Sequence, residues 1–160
     1  MRERTFEDRY QENDIPWDHT HPDCNLIDAV RNVPIQPCRV LDLGCGTGIN
    51  AAWLAGQGFE VTGLDLSHTA IAKATARAKQ QSLEIEFLCC NFLKAPLPGQ
   101  FDFIFDRGCL HCFIGTAERK KGAERIADRL IKNGLWLSLI GNADDLPREV
   151  GPPTLAAGEI

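Results

Sequence analysis

Short apolar runs alternate with amphipathic stretches along most of the chain. The apolar runs are rich in branched and aromatic residues, which is typical of strands that are buried on both faces. Five such runs predict five strands: RVLDLG (Arg39–Gly44), EVTGLDL (Glu60–Leu66), EIEFLCCNF (Glu84–Phe92), FDFIFD (Phe101–Asp106) and LWLSLIG (Leu135–Gly141). Because strands that alternate with helices favour a parallel sheet covered on both faces, we expect an α/β, doubly wound, mainly parallel fold.

The amphipathic stretches predict four helices: Cys24–Asn32, Thr47–Ala55, His68–Gln80 and Thr116–Lys132. Ser67 and Thr116 carry hydroxyl groups that can cap the third and fourth of these helices. Pro34 is expected to end the first helix, because proline cannot continue it, and Gly134 is expected to end the last.

A length of 160 residues predicts a single domain, 1–160. Residues 1–22 are expected to form an irregular or partly helical arm, and the Gly- and Pro-rich residues 142–160 an irregular tail. Because so few residues follow Leu135–Gly141, the sheet is expected to be truncated after the fifth strand. An apolar edge strand invites pairing with another chain, so we expect a homodimer or poor solubility.

The first predicted strand runs directly into the loop GCGTG (Gly44–Gly48) and then into a helix. Its glycines allow a sharp turn and the close approach of a ligand, and parallel sheets bind ligands at this end of their strands. Asp65 follows at the end of the second strand, where a carboxylate can accept hydrogen bonds from both hydroxyls of a ribose. Asn91 ends the third strand, where its amide could contact an adenine.

Two cofactors fit this layout, a dinucleotide and S-adenosylmethionine. The dinucleotide fingerprint is Gly-x-Gly-x-x-Gly, and Ile49 stands where its third glycine would fall. Asp42 lies inside the strand, in the form Leu-Asp-Leu-Gly-Cys-Gly-Thr-Gly. From the residues alone, an oxidoreductase that uses NAD therefore stays open beside a methyltransferase.

VLDLGCGTG, followed by GLDLS, resembles the first two motifs of the class I S-adenosylmethionine-dependent methyltransferases, whose fold is Rossmann-like. The resemblance implies that Asp42 and the loop backbone hold the methionine end of the cofactor, that Asp65 holds the ribose, and that residues around Asn91 flank the adenine. The family usually has Asp where this chain has Asn91. The cofactor-binding residues implied in this way are Trp17, Asp42, Gly44, Cys45, Gly46, Asp65, Leu66, Asn91, Phe92 and Asp106.

Three further segments resemble the thiopurine/tellurite-resistance branch of these enzymes: IPWD (Ile15–Asp18), FDFIFDRGCLHCF (Phe101–Phe113) and GNADDLPREVGPP (Gly141–Pro153). That branch methylates small molecules, often at sulfur or another chalcogen. The resemblance implies that the arm folds over the cofactor, with Trp17 as a lid residue.

A thiol or chalcogen nucleophile needs little base catalysis, because it is partly ionised near neutral pH. Asp106, at the tip of the fourth strand, is the expected carboxylate beside the methyl group, and His111 is the candidate general base. Arg107 and Arg148 are candidate substrate-binding residues, although Arg107 could equally pair with an acid as part of the scaffold. A non-catalytic S-adenosylmethionine-binding module is a further alternative.

Charge and composition argue against several other classes of function and location. A net charge of -5 and a pI near 5.3 argue against binding to nucleic acid. The charged start MRERTFEDRY is no secretory signal, no run is long enough for a membrane span, and 7 cysteines without a framework indicate reduced thiols in a cytoplasmic protein. Cys109, His111 and Cys112 are too few for zinc, which prefers four ligands, so no metal is expected.

Overall fold

The computed structural model describes residues 4–33 and 35–141. The helices are α1 (Phe6–Gln11), α2 (Cys24–Asn32), α3 (Ile49–Gly56), α4 (His68–Gln80) and α5 (Gly115–Arg129), with a 3₁₀ helix at Leu110–Cys112. The strands are β1 (Arg39–Leu43), β2 (Glu60–Asp65), β3 (Glu86–Cys89), β4 (Phe101–Arg107) and β5 (Leu130–Leu139). Pro34, Arg148 and the tail 142–160 lie outside the described residues. Within the described ranges, no helix is long and apolar enough to cross a bilayer.

All paired strands are parallel, and they lie in the order β3-β2-β1-β4-β5. The chain adds β2 and β3 on one side of β1, then crosses over to add β4 and β5 on the other side. Ligands of such sheets bind beyond the carboxyl ends of the strands, at the point where the strand order reverses. The predicted Rossmann-like sheet is confirmed, and the glycine loop that follows β1 lies at this switch point.

The sheet separates two apolar clusters. Leu26, Val40, Leu54, Val61, Phe103 and Phe105 form the core on the face of α2 and α3. Leu41, Leu43, Leu64, Phe101, Ile104 and Ile126 form the core on the face of α5. Because side chains alternate along a strand, Asp42 lies on the first face, whereas Asp106, the partner of Leu43, lies on the second.

The junction between α5 and β5 differs from the prediction. The helix ends at Arg129 rather than Lys132, because Leu130 already has an extended backbone. Leu130 pairs with Phe101, whereas Leu135 pairs with Phe103, so residues 131–134 bulge out of the ladder between them. Gly134 therefore lies in the strand and does not end the helix.

Other predicted boundaries also shift, and α3 begins at Ile49 and ends at Gly56 rather than running from Thr47 to Ala55. Ile114, not Thr116, occupies the N-cap position of α5, and no side chain caps that helix in the usual way. The Glu118 carboxylate instead accepts a hydrogen bond from the Ile114 backbone N–H. β3 ends at Cys89, which leaves Asn91 in the loop beyond the strand. α2 and α4 have the predicted bounds, and the partly helical arm contains α1.

Candidate active site

The glycine loop has a backbone that only glycine adopts easily. Gly44, Gly46 and Gly48 have φ angles of 72°, 54° and 76°, in the left-handed region that is strained for other residues. Their neighbours also approach closely: a Cβ atom on Gly46 would lie 2.8 Å from the Tyr10 hydroxyl, and one on Gly48 would lie 2.8 Å from the Cβ of Ala74. The three glycines thus let the arm and α4 approach the end of β1.

Asp42 is buried inside β1, with 2% of its surface exposed. The backbone N–H of Ala51 donates to its carboxylate, whereas the Oδ2 atom has no hydrogen-bond partner among the described residues. Burial, together with the negative charges of Asp65 and Asp106, raises the pKa of Asp42 to about 7. A buried carboxylate oxygen without a partner is costly, which indicates a place for a cationic donor.

Asp65 lies at the end of β2, on the same face of the sheet as Asp42. Its Oδ2 atom accepts a hydrogen bond from Gly46 N at 2.9 Å, and its Oδ1 atom accepts one from Ser67 N at 2.9 Å. Burial raises the pKa of Asp65, while these backbone hydrogen bonds lower it. The backbone N–H of Leu66 also donates to this carboxylate, and the lone-pair sites that remain could accept a hydroxyl donor. Leu66 beside it is 57% exposed and presents an apolar surface to solvent.

The loop after β3 brings Asn91 and Phe92 to the same edge. The Asn91 Oδ1 atom accepts a hydrogen bond from Leu93 N at 2.9 Å, which leaves its NH₂ group directed elsewhere. Phe92 is 4% exposed and stacks on Phe113, so its ring belongs to the core. A contact from Phe92 to a cofactor would therefore come from its backbone. The cofactor-binding roles of both residues stay predictions.

The N-terminal arm lies over the glycine loop and is attached on two sides. The Glu7 carboxylate accepts hydrogen bonds from the Ser67 and Thr69 hydroxyls, both at 2.6 Å, at the start of α4. These bonds lower the pKa of Glu7 to about 2. At the other end of the arm, the Thr47 hydroxyl donates to Asp18 at 2.8 Å.

Trp17 lies within this arm. Its indole N–H donates to the Tyr10 hydroxyl at 3.1 Å, and its ring packs edge-on against Phe6 and Tyr10. The Arg9 guanidinium lies 4.4 Å from the centre of the ring. Trp17 thus organises the arm above the loop, and its role as a lid over a cofactor stays a prediction.

Asp106 is fully buried at the end of β4. Its Oδ1 atom accepts hydrogen bonds from Cys109 N at 2.7 Å and Leu110 N at 3.1 Å, and its Oδ2 atom accepts one from the Ser138 hydroxyl. Burial raises the pKa of Asp106, whereas these hydrogen bonds lower it. The carboxylate holds the 3₁₀ turn onto β5, so its described contacts are positioning contacts within the protein.

His111 lies within this turn, and Arg107 precedes it at the end of β4. The Nδ1 atom of His111 accepts a hydrogen bond from Gly141 N at 3.3 Å, and burial lowers the pKa of the ring, which favours the neutral imidazole. Arg107 pairs with Asp23 at 2.8 Å and donates to the Trp17 carbonyl at 3.0 Å, so it joins β4 to the arm. The proposed base and substrate-binding roles of these two residues stay predictions.

The cysteines near this turn are buried or partly buried thiols that stay protonated near neutral pH. Burial raises the pKa of Cys109 well above its usual value and that of Cys112 to about 11. Burial also raises the pKa of Cys45, whose side chain lies under the glycine loop. In the part of the chain that the structure describes, no group of three or more His, Cys, Asp or Glu residues could hold a metal ion.

Comparison with known proteins identifies the family of this chain. The sequence profile of a methyltransferase domain matches residues 40–134, from β1 into β5. The chain belongs to this methyltransferase domain family. Its glycine loop, Asp42 and Asp65 all lie within the matched segment, which confirms the resemblance to the class I S-adenosylmethionine-dependent methyltransferases.

One relative matches more of the chain than the domain profile does, and a second matches half of it. The chain is 28% identical over 150 residues to "Probable thiol methyltransferase 2" of Arabidopsis thaliana, covering 92% of this chain and 65% of the relative. It is 34% identical over 80 residues to "Probable S-adenosyl-L-methionine-dependent methyltransferase TehB" of Haemophilus influenzae, covering 50% of this chain and 27% of the relative.

A solved structure described as "Conversion of a Disulfide Bond into a Thioacetal Group during Echinomycin Biosynthesis" superposes on this chain with a TM-score of 0.78. The sequences are 32% identical, and the match covers 86% of this chain and 59% of that one. The chain therefore spans less than two thirds of the length of each of these three proteins.

The residues present fit the cofactor that the family implies. S-adenosylmethionine carries an ammonium group at its methionine end, and the unpaired Oδ2 atom of Asp42 is a buried anionic acceptor at the glycine loop. Asp65 offers acceptors for ribose hydroxyls, and the exposed Leu66 lies next to it.

Sequence reasoning missed several residues that build this edge: Glu7, Tyr10, Asp18, Asp23 and Thr47. One local signal was available, because Thr5 and Asp8 form a capping box that begins α1. The contacts of the arm join residues 60 and 62 positions apart at α4 and 29 positions apart at the glycine loop, and no spacing rule predicts them.

Proposed function

We propose that this chain binds S-adenosylmethionine at the carboxyl edge of β1 and β2 and transfers its methyl group to a small molecule with a thiol or chalcogen nucleophile. The observation that carries the proposal is the buried, unpartnered oxygen of Asp42 beside a glycine loop with positive φ angles. Family membership and this site together favour S-adenosylmethionine over NAD.

A sulfur acceptor is supported from two directions. One relative is named a thiol methyltransferase, and a solved neighbour is described by a reaction at a disulfide. The two candidate bases near the 3₁₀ turn are also already engaged: both oxygens of Asp106 accept hydrogen bonds, and the Nδ1 atom of His111 accepts one from Gly141 N. A nucleophile that ionises near neutral pH suits such a site.

The contribution of the protein to the reaction is mainly to position the cofactor and the acceptor and to exclude water from them. When bound, S-adenosylmethionine supplies an electrophilic methyl group on a sulfonium. Asp42 and Asp65 would hold its two ends, and the arm would cover it, since Glu7 and Asp18 attach the arm on both sides. Asp106 holds the 3₁₀ turn in place at the acceptor side. Close positioning of two reactants alone can lower a barrier by roughly 7–11 kcal/mol.

Calorimetric titration with S-adenosylmethionine, S-adenosylhomocysteine and NAD tests the cofactor. We expect both adenosyl ligands to bind, and Asp42→Asn to weaken both. Binding of NAD alone would overturn the proposal.

Turnover tests the acceptor. We expect S-adenosylhomocysteine to form with small thiols or chalcogen anions, and at a lower rate with matched alcohols and amines. Turnover that favours alcohols or amines would overturn the sulfur assignment, and cofactor binding without turnover would favour a non-catalytic module.

A further inference from the structure

Tyr10, in α1, is the only tyrosine of the chain and is 4% exposed. Its hydroxyl oxygen lies 2.8 Å from the point that a Cβ atom on Gly46 would occupy. Gly46 N in turn donates to Asp65. The hydroxyl therefore lies directly against the glycine loop, at the center of the proposed cofactor site, although α1 is nearly forty residues away in sequence.

The hydroxyl is fixed in position but keeps its hydrogen available. Its oxygen accepts a hydrogen bond from the Trp17 indole N–H at 3.1 Å, and the Trp17 ring packs edge-on against the Tyr10 ring. Within residues 4–33 and 35–141, the Tyr10 hydroxyl hydrogen has no acceptor. Burial, and then the negative charge of Asp65, raises the pKa of Tyr10, so the group stays protonated.

The amino-acid end of S-adenosylmethionine carries both an ammonium and a carboxylate. The Asp42 carboxylate can accept hydrogen bonds from the ammonium, but the carboxylate of the cofactor needs hydrogen-bond donors. In the ionised form that the ammonium requires, the acidic side chains of the site, Asp42 and Asp65, are acceptors only. A neutral hydroxyl with an available hydrogen above Gly46 supplies the missing donor, and hydrogen bonds to a charged group are stronger than those between neutral groups.

Building on the proposed function, we propose that Tyr10 is a cofactor-binding residue whose hydroxyl donates to the amino-acid carboxylate of S-adenosylmethionine. The arm then does more than cover the site, because one of its side chains recognises the charged end of the cofactor. The ribose hydroxyls do not require this donor, since they can donate to Asp65 themselves.

Tyr10→Phe tests the contact, because it removes the hydroxyl and keeps the buried ring. We expect this variant to bind S-adenosylmethionine and S-adenosylhomocysteine about 10- to 100-fold more weakly, in line with a lost hydrogen bond to a charged group. Binding of 5′-methylthioadenosine, which lacks the amino-acid end, should be unchanged. Glu12→Gln, at the exposed C-cap of the same helix, is the control and should bind all three ligands within about twofold of the unmodified protein.

A second measurement does not depend on a variant. Because the chain has one tyrosine, replacement by 3-fluorotyrosine gives a single ¹⁹F resonance from this ring. We expect S-adenosylmethionine and S-adenosylhomocysteine to shift that resonance strongly and 5′-methylthioadenosine to shift it much less.

The outcomes separate this inference from the proposed function. Unchanged affinity of Tyr10→Phe for S-adenosylmethionine, an equal loss for all three ligands, or equal ¹⁹F shifts with all three would overturn the role of Tyr10 alone. Failure of the unmodified protein to bind any of the three ligands would overturn the proposed function and this inference with it.

Discussion

Asp42 and Asp106 lie on neighbouring strands and are similarly buried, at 2% and 0% exposed, yet they have opposite surroundings. Both oxygens of Asp106 accept hydrogen bonds from Cys109, Leu110 and Ser138. The Oδ2 atom of Asp42 accepts none from the described residues. Because strand residues alternate, Asp42 belongs to the face of α3 and Asp106 to the face of α5.

The difference indicates a division of tasks along one sheet edge. A buried carboxylate whose oxygens are all bonded stabilises the fold around it, whereas one that lacks a partner destabilises the fold until a ligand supplies it. Strongly perturbed buried acids of the second kind are typical of functional sites. Asp42 thus suits binding, and Asp106 suits the positioning of the 3₁₀ turn that follows β4.

The largest expected effect is on stability, at Asp106. Asp106→Ala leaves two backbone N–H groups and the Ser138 hydroxyl without their acceptor, and we expect the free energy of unfolding to fall by about 3–4 kcal/mol in urea denaturation. Asp106→Asn keeps an oxygen for the two N–H groups and should lose only about 1 kcal/mol. A loss below about 1 kcal/mol for Asp106→Ala would remove the contrast with Asp42.

The next effect is on binding, at Asp42. Asp42→Asn keeps the size of the side chain but removes its charge, so S-adenosylmethionine affinity should fall about 10- to 100-fold, as for a lost hydrogen bond between charged groups. The melting temperature of the unliganded protein should not fall, because a buried charge without a partner has been removed. Calorimetry and thermal melts check the two statements, and a lower melting temperature with unchanged affinity would contradict both.

A pH series sharpens the same contrast. The pKa of Asp42 is raised to about 7 in the folded protein, against about 3.9 in an unfolded chain. Its contribution to the stability of the unliganded protein is therefore complete below about pH 4 and is lost as the pH rises through about 7. Cofactor affinity should change in the opposite sense, because the ammonium requires the carboxylate form.

Calorimetry between pH 6 and 8 checks this expectation. Affinity for S-adenosylmethionine should rise several-fold with pH in the unmodified protein and stay unchanged with pH in Asp42→Asn. The rise in affinity reaches its limit of about tenfold per pH unit only well below the pKa of Asp42. The same slope in both proteins would assign the pH dependence to another group.

The smallest expected effect is at Glu7, which attaches the arm to α4. Glu7→Gln keeps one acceptor oxygen but removes the charge, and we expect about 1 kcal/mol of lost stability and a few-fold weaker cofactor binding. Glu12→Gln, which alters an exposed pair with Arg4, is the control and should change neither by much. Equal effects of the two variants would show that the arm is not held through Glu7.

The predictable part of this molecule is local. Buried apolar runs predicted five parallel strands, and Ser67 correctly marked the start of α4, because its hydroxyl caps the helix. The predicted α5–β5 junction was wrong, since the helix ends at Arg129 and the backbone becomes extended at Leu130, which pairs with Phe101. That pairing is a long-range contact that helical periodicity does not contain.

The same division between local patterns and long-range contacts applies to the candidate site. The sequence by itself determined the glycine loop, Asp42 and Asp65, because turn geometry and strand ends place residues that are close along the chain. Only the tertiary structure decided which carboxylate was left without a partner, that Arg107 would pair with Asp23, and that Tyr10 would lie on Gly46. Hydrogen-bond satisfaction depends on which distant groups fold against each atom, and it is this pairing that separates a binding carboxylate from a structural one.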